Sequence, residues 1–329
     1  MTQVRFLSAR DMIQALPMPD AIAAMKSAFA QLATGKANMP LRARTAIGTD
    51  QVSLAMPAYL NESQALAVKI VNVFPDNVQR DKPIIHAVVN AFDAETGELI
   101  GIMEGGVLTA IRTGAGAGAA TDVLARRDAR TVAIIGSGVQ ARTQLQAVCA
   151  VRAIEQVYVY SPTLSHAQAF AQEMAGQAAI PAAITVAESP QQAVQTADIV
   201  CTATTASQPV FDGRDLKAGA HVNGVGSYTP TMQEIDEWTL QHALITVDSR
   251  ESVLAEAGEI IIAIANGTIT EDDIHAEIGA IIAGQRTGRT SDEQITYFKS
   301  CGVAVQDAAA AAIAIANANR HDLGTLLDL

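Results

Sequence analysis

Gly136-Ser137-Gly138-Val139-Gln140-Ala141 follows an apolar run and opens a helix-like segment, a spacing suited to holding an anion. In such a GxGxxG/A turn the first glycine allows the tight bend and the second lets the backbone approach a pyrophosphate. The small third residue keeps the helix close to its strand. N–H groups at the helix start then meet the negative charge. The preceding TVAII from Thr131 supplies the strand that this fingerprint requires. Gly136 through Ala141 are therefore expected to bind a dinucleotide, with Arg142 next in the helix.

The acid that would grip the adenosine ribose is missing, because Ser161, Pro162 and Thr163 follow Val157-Tyr-Val-Tyr160. Without a carboxylate a 2′-phosphate is not repelled, Ser161, Thr163 and His166 offer hydrogen bonds, and Arg142 adds charge if it reaches. NADPH is the expected cofactor, with NADH as the alternative. Thr202, Ala203 and Thr204 end another strand-like run, DIVCTAT. They join the cofactor set because doubly wound sheets collect ligand contacts at strand carboxyl ends.

These residues need a scaffold. From Thr131 the chain alternates TVAIIG, QVYVY, AITVA, DIVCTAT, AHVNGVG and ALITVDS with helices from Val139, Ser165 and Pro190. That alternation reads as a parallel sheet covered by helices. Upstream the pattern differs. Ser8 to Asp11 forms a capping box before MIQAL, and Pro19-Asp20 opens a helix with Ile22, Met25, Phe29 and Leu32 on one face before Gly35 ends it. QVSLAMPA, ALAVKIVNVF, and the pair HAVVNAF and ELIGIM across the Asp93–Gly97 turn predict a mostly antiparallel sheet. The glycine- and alanine-rich segment from Val107 predicts a closely packed helix, and a second Ala-rich helix, Asp307 to Ala318, returns to the first region. The fold class is thus α/β. It comprises a Rossmann-type doubly wound parallel-sheet domain over 126–299 and an α+β substrate-binding and dimerisation domain from 1–125 and 300–329.

Composition narrows the function. At 329 residues, with 49% hydrophobic and 17% charged, the chain is too apolar for disorder and too interrupted by charge for a membrane protein. The balance of 22 basic against 34 acidic residues, 22 − 34 = −12, opposes binding to nucleic acid or anionic lipid. No apolar stretch of about eighteen residues and no signal or transit pattern stands out, so a cytoplasmic location is expected. Cys149, Cys201 and Cys301 lack ligand spacing and read as core packing; six scattered histidines give no metal site.

Several segments taken together resemble the ornithine cyclodeaminase/mu-crystallin family: MPLRAR at Met39, MPAYL at Met56, AVKIV at Ala67 and FDAETGE at Phe92. LTAIRTGA at Leu108, IGSGVQAR at Ile135 and VGSYTP at Val225 extend the likeness to nearly the whole chain. Tyr297 to Gly302 and Asp307 also look family-like. The resemblance implies that Arg42, Lys69 and Arg112 hold a substrate carboxylate, Arg bidentately and Lys as a compact charge and proton source. Alone, each cation would be read as solvated surface charge; Lys69 inside ALAVKIVNV is less ordinary, since lysine is seldom buried unpaired. Thr113 is expected at the cofactor phosphate and Gly226 in the cofactor set. Tyr228 is expected to line the substrate pocket.

The family spans cyclodeaminases, ketimine reductases, alanine dehydrogenases, opine-type dehydrogenases and non-catalytic crystallins. Tyr228 and Leu54 stand where cyclodeaminases resemble one another in carrying carboxylates, and Ile84 replaces a threonine of many relatives. Reduction of a preformed imine does not need those bases. The expected activity is therefore NAD(P)H-dependent reduction of small cyclic ketimine carboxylates, Δ1-pyrroline-2-carboxylate and Δ1-piperideine-2-carboxylate, to L-proline and L-pipecolate. The alternatives are an alanine or other amino-acid dehydrogenase, an ornithine cyclodeaminase, and a crystallin-like NADPH-dependent binding protein. The apolar first region implies a homodimer, as the resemblance also does.

Overall fold

In a computed structural model, which describes residues 3–329, the chain divides into two units. Residues 1 and 2, counted in the expected first domain, lie outside the described residues. The first unit runs to Arg112 and resumes at Val303–Leu329; the second is Thr113–Gly302. The expected cuts fell at 125/126 and 299/300.

The first unit opens with β1 (Gln3–Leu7), α1 (Ala9–Ala15) and α2 (Met18–Ala33). Ser8 caps α1 as expected: its hydroxyl accepts the Asp11 N–H at 3.3 Å while the Asp11 carboxylate accepts the Ser8 N–H at 3.0 Å. α2 buries Ile22, Met25 and Phe29 on one face. Next come β2 (Ala37–Asn38), β3 (Ala43–Ala46), β4 (Val52–Leu60), β5 (Ala65–Val73), β6 (Ile85–Phe92) and β7 (Leu99–Glu104). Met56 of β4 faces Lys69 of β5, which faces Val89 of β6. Strand side chains alternate, so β5 buries Ala65, Ala67, Lys69 and Val71 together. The lysine therefore shares the face of the apolar residues. α3 (Gly105–Leu124) starts where the Glu104 carboxylate accepts the N–H groups of Gly106 at 2.8 Å and Val107 at 2.7 Å. The division between units falls inside this helix.

The second unit begins with β8 (Thr131–Ile135), α4 (Val139–Val151), β9 (Gln156–Tyr160), α5 (Leu164–Met174), β10 (Thr185–Val186), α6 (Pro190–Val194) and β11 (Ile199–Thr202). It continues through β12 (His221–Gly224), α7 (Glu237–His242), β13 (Ala243–Val247), α8 (Arg250–Glu256) and α9 (Gly258–Ala265). β14 (Ile274–Glu277), α10 (Ile278–Ile282) and β15 (Ile295–Lys299) complete it. All eight strands are parallel, in the order β10-β9-β8-β11-β12-β15-β13-β14. The six strands expected from sequence are all present. β14 and β15 were not anticipated, and β15 inserts between β12 and β13 although it comes last in the unit. β8, β11, β12 and β15 are buried at every position, as covering both faces of a parallel sheet requires.

The chain then returns to the first unit through α11 (Ala304–His321) and β16 (Thr325–Asp328). The first sheet runs β16-β1-β7-β6-β5-β4-β2, with β3 also on β4, and is antiparallel except for the β1–β7 pair. α11 packs on α2, β4 and β5, which brings its side chains onto the face that holds Lys69. Arg5 fastens the end of α11, donating to Asn319 Oδ1 at 2.9 Å and the Leu323 carbonyl at 2.6 Å. Among the described residues no helix is long and apolar enough to cross a membrane.

Candidate active site

Lys69, 2% exposed, meets a carboxylate from the far end of the chain. Its Nζ lies 3.0 Å from Asp307 Oδ1 and 2.8 Å from Oδ2. Arg112, from the first half of α3, donates its Nε to the same Oδ1 at 2.9 Å and its Nη1 to Gln306 Oε1 at 3.0 Å. Gln306 is itself fixed by accepting the Val303 N–H at 3.0 Å. Arg42 precedes β3, where Ala43 pairs with Ala55, next to Met56 opposite Lys69. It is half-buried there, and its charge acts on Lys69.

Burial and the Arg112 charge push the Lys69 ammonium down to about 8, against the opposing pull of Asp307, with Arg42 adding to the depression. An ion pair usually raises a lysine; here desolvation and two neighbouring guanidinium groups outweigh it. Lys69 and Arg112 share the single Asp307 carboxylate, so these three groups sum to 2 − 1 = +1, an excess that one substrate carboxylate would neutralise. Such a patch can bind an acid and supply a proton close to neutral pH.

The second unit carries the glycine turn. Gly136 adopts φ +110, and a Cβ there would stand 2.5 Å from the Ala203 carbonyl oxygen. Only glycine meets both demands. Gly138 is the N-cap of α4 at φ −81, and a Cβ on it would meet no protein atom within 4 Å. Packing does not demand glycine there, whereas a pyrophosphate lying against the helix start does. Arg142 turns back on this turn, donating Nη1 to the carbonyls of Ser137 at 2.6 Å and Gly138 at 3.0 Å. Its Nε and Nη2 engage both Glu173 oxygens at 2.9 and 2.6 Å, over the Phe170 ring.

Ser161, half-buried, and Thr163, exposed, follow β9. Thr202, Ala203 and Thr204 leave β11, and Gly226 leaves β12. One buried carboxylate, Glu234, accepts hydrogen bonds from three of these residues: Thr202, Thr204 and Gly226. Thr113 is buried in α3 at the start of this unit. Tyr228 lies on the loop after β12, 41% exposed.

A model of the ornithine cyclodeaminase/mu-crystallin family matches residues 3–321. The chain belongs to this family. It is 39% identical over 303 residues to a Δ1-pyrroline-2-carboxylate reductase of Bacillus cereus, covering 92% of each protein. It is also 33% identical over 319 residues to an alanine dehydrogenase of Archaeoglobus fulgidus, covering 97% of this chain and 96% of that one. Among solved structures, a Δ1-pyrroline-2-carboxylate reductase of Thermococcus litoralis in complex with NADH and L-proline matches with a TM-score of 0.93. That likeness has 41% identity and covers 98% of this chain and 99% of the other.

Within this family member the first unit gathers Arg42, Lys69 and Arg112, while Gly136 to Arg142, Thr113, Ser161, Thr163, Thr202 to Thr204, Gly226 and Tyr228 belong to the second. Sequence reasoning gave Asp307, Gln306 and Glu234 no role. Asp307 had a signal, being a lone carboxylate in the apolar stretch AVQDAAAAAIAIA; a buried acid needs a cation. Glu234 had none, since its partners come from two other loops.

Proposed function

We infer that this protein reduces small cyclic ketimine carboxylates, Δ1-pyrroline-2-carboxylate and its six-membered homologue, to L-proline and L-pipecolate. The observation that carries this reading is the buried trio of Lys69, Arg112 and Asp307, with Arg42 at its edge, in a chain so similar to Δ1-pyrroline-2-carboxylate reductases. Arg112 spends Nε and Nη1 on Asp307 and Gln306. Its remaining Nη2 edge and Arg42 are assigned to the substrate carboxylate, which fixes the ring. Lys69 is assigned to the imine nitrogen. A reduced nicotinamide supplies the hydride when bound. Lys69 would give its proton to the imine nitrogen as the C=N bond is reduced, and solvent would reprotonate the lysine. Tyr228 is proposed to line the substrate pocket.

Gly136 to Ala141 are proposed to hold a pyrophosphate, a reading supported by Gly138, where a Cβ would meet no protein atom within 4 Å. Thr113, Ser161, Thr163, Thr202 to Thr204 and Gly226 are proposed to complete the cofactor cradle. No carboxylate stands at Ser161 to Thr163 to repel a 2′-phosphate, yet Arg142 is already matched by Glu173. Both NADPH and NADH are therefore proposed to serve, with a preference for NADPH below about tenfold. We place the enzyme in the cytoplasm, where such cofactors are regenerated, as a homodimer with no nucleic-acid or membrane partner.

The likeness to an archaeal alanine dehydrogenase keeps one rival in view. Purified protein should oxidise NADPH or NADH with either cyclic imine at least a hundredfold more efficiently than with pyruvate and ammonium. Faster turnover of pyruvate would overturn the ketimine assignment.

A further inference from the structure

We propose that Glu234 is a positioning residue for the dinucleotide, its carboxylate locking the exits of β11 and β12 into one rigid shelf beside the pyrophosphate turn. The proposal rests on the dinucleotide reading above. Glu234 is 0% exposed. Its Oε1 accepts the Thr204 N–H at 2.6 Å and the Thr204 hydroxyl at 2.8 Å; its Oε2 accepts the Thr202 hydroxyl at 2.9 Å and the Gly226 N–H at 2.7 Å. Burying a carboxylate is costly unless such bonds compensate, and all four come from the two strand exits.

The carboxylate is itself held firmly. Val210 donates its N–H to the Glu234 carbonyl at 2.9 Å, and Gln233 donates its own to Ala206 at 3.0 Å. The shelf also touches the glycine turn. A Cβ on Gly136 would come within 2.5 Å of the Ala203 carbonyl oxygen, and one on Gly226 within 2.3 Å of that of Thr204. Three backbone segments thus meet with no room for side chains between them, and Glu234 ties two of them together. Lys299, ion-paired with the buried Glu259 at 2.9 Å, offsets the acid's charge in part and holds the next residue of the β12 exit, donating to the Ser227 carbonyl at 2.6 Å. A cofactor arriving at this shelf need not order it, which is what preorganisation contributes to affinity.

Glu234→Gln keeps the shape but turns an NH2 group toward the two donors that share one oxygen, a hydroxyl that can rotate to accept and a backbone N–H that cannot. Its dissociation constants for NADH and NADPH, read by titration calorimetry, should rise at least about tenfold. Its kcat at saturating cofactor and its KM for the imine should stay within about threefold of wild type. Thr202→Val, which removes one donor and leaves the charge, should weaken cofactor binding about threefold. A folded Glu234→Gln protein with wild-type cofactor affinity, or with equal losses in kcat and both KM values, overturns the proposal. Should that variant not fold, unchanged affinity in Thr202→Val overturns it. Wild-type protein that binds neither cofactor defeats the dinucleotide reading, and this one with it.

Discussion

Three cations crowded in one patch repel one another, and Asp307 makes the arrangement tolerable by accepting from both Lys69 and Arg112. The acid also opposes the depression of Lys69, whose value of about 8 puts its proton within reach of physiological pH. If protonated Lys69 is the active form, kcat/KM should be flat near neutrality and fall as pH rises through about 8. Asp307→Asn removes the charge and a hydrogen bond that raise the lysine, so that alkaline fall should move to lower pH. An unmoved profile would mean Lys69 does not set it. The variant should also lose about 3 kcal/mol of stability in denaturant unfolding, because it leaves buried cations uncompensated. Lys69→Met should lower kcat about a hundredfold by removing the proton source. The folded chain holds the Lys69 proton more weakly than the unfolded chain, whose ordinary value is 10.5. The unfolded state therefore binds more protons between about pH 8 and 10.5, and the contribution of this group to stability improves as pH rises through that window.

At the scale of elements, the turn before α4 separates folding from binding. Gly138 sits at φ −81 with open space where a Cβ would go. Gly138→Ala should therefore leave the melting temperature unchanged or slightly raised by the stiffer unfolded chain, while the cofactor KM rises about tenfold. Gly136→Ala should instead destabilise, since φ +110 and the Ala203 carbonyl both resist a side chain. Equal effects of the two on melting would contradict this division. Period and punctuation made most elements legible: the capping box at Ser8, the βα alternation from Thr131, and the strand-like run ALAVKIVNVF that became β5. Order in space was not legible. Nothing local in ITYFK says that β15 inserts between β12 and β13, and the β16 segment TLLD is short and exposed. The candidate site divides the same way. Glycine spacing suffices to propose a phosphate turn because the chemistry such a turn needs is local, whereas Lys69 and Asp307 are separated by 238 positions and meet only because α11 returns to the first sheet.

At the scale of the molecule, the first sheet has two faces with different work. β5 turns Lys69 inward and its neighbour Ile70 outward, where Ile70 is 38% exposed, and Phe6 of β1 is 40% exposed. An apolar sheet face left open is a surface for another copy, and two-fold pairing is the commonest way to cover one. Scattering should therefore give about twice 34.4 kDa at micromolar concentration. Ile70→Asp should shift the population toward monomer by burying an unpaired charge at the interface. Lys69 and Ile70 are consecutive in β5, so loosening the outer face is predicted to disturb the inner one. Specific activity should then fall when wild-type enzyme is diluted below its dimer dissociation constant, and the Ile70→Asp protein should show that fall at higher concentration. Activity independent of dilution in a protein that scattering finds dissociated would uncouple assembly from the Lys69 site, leaving the open face to solubility and packing alone.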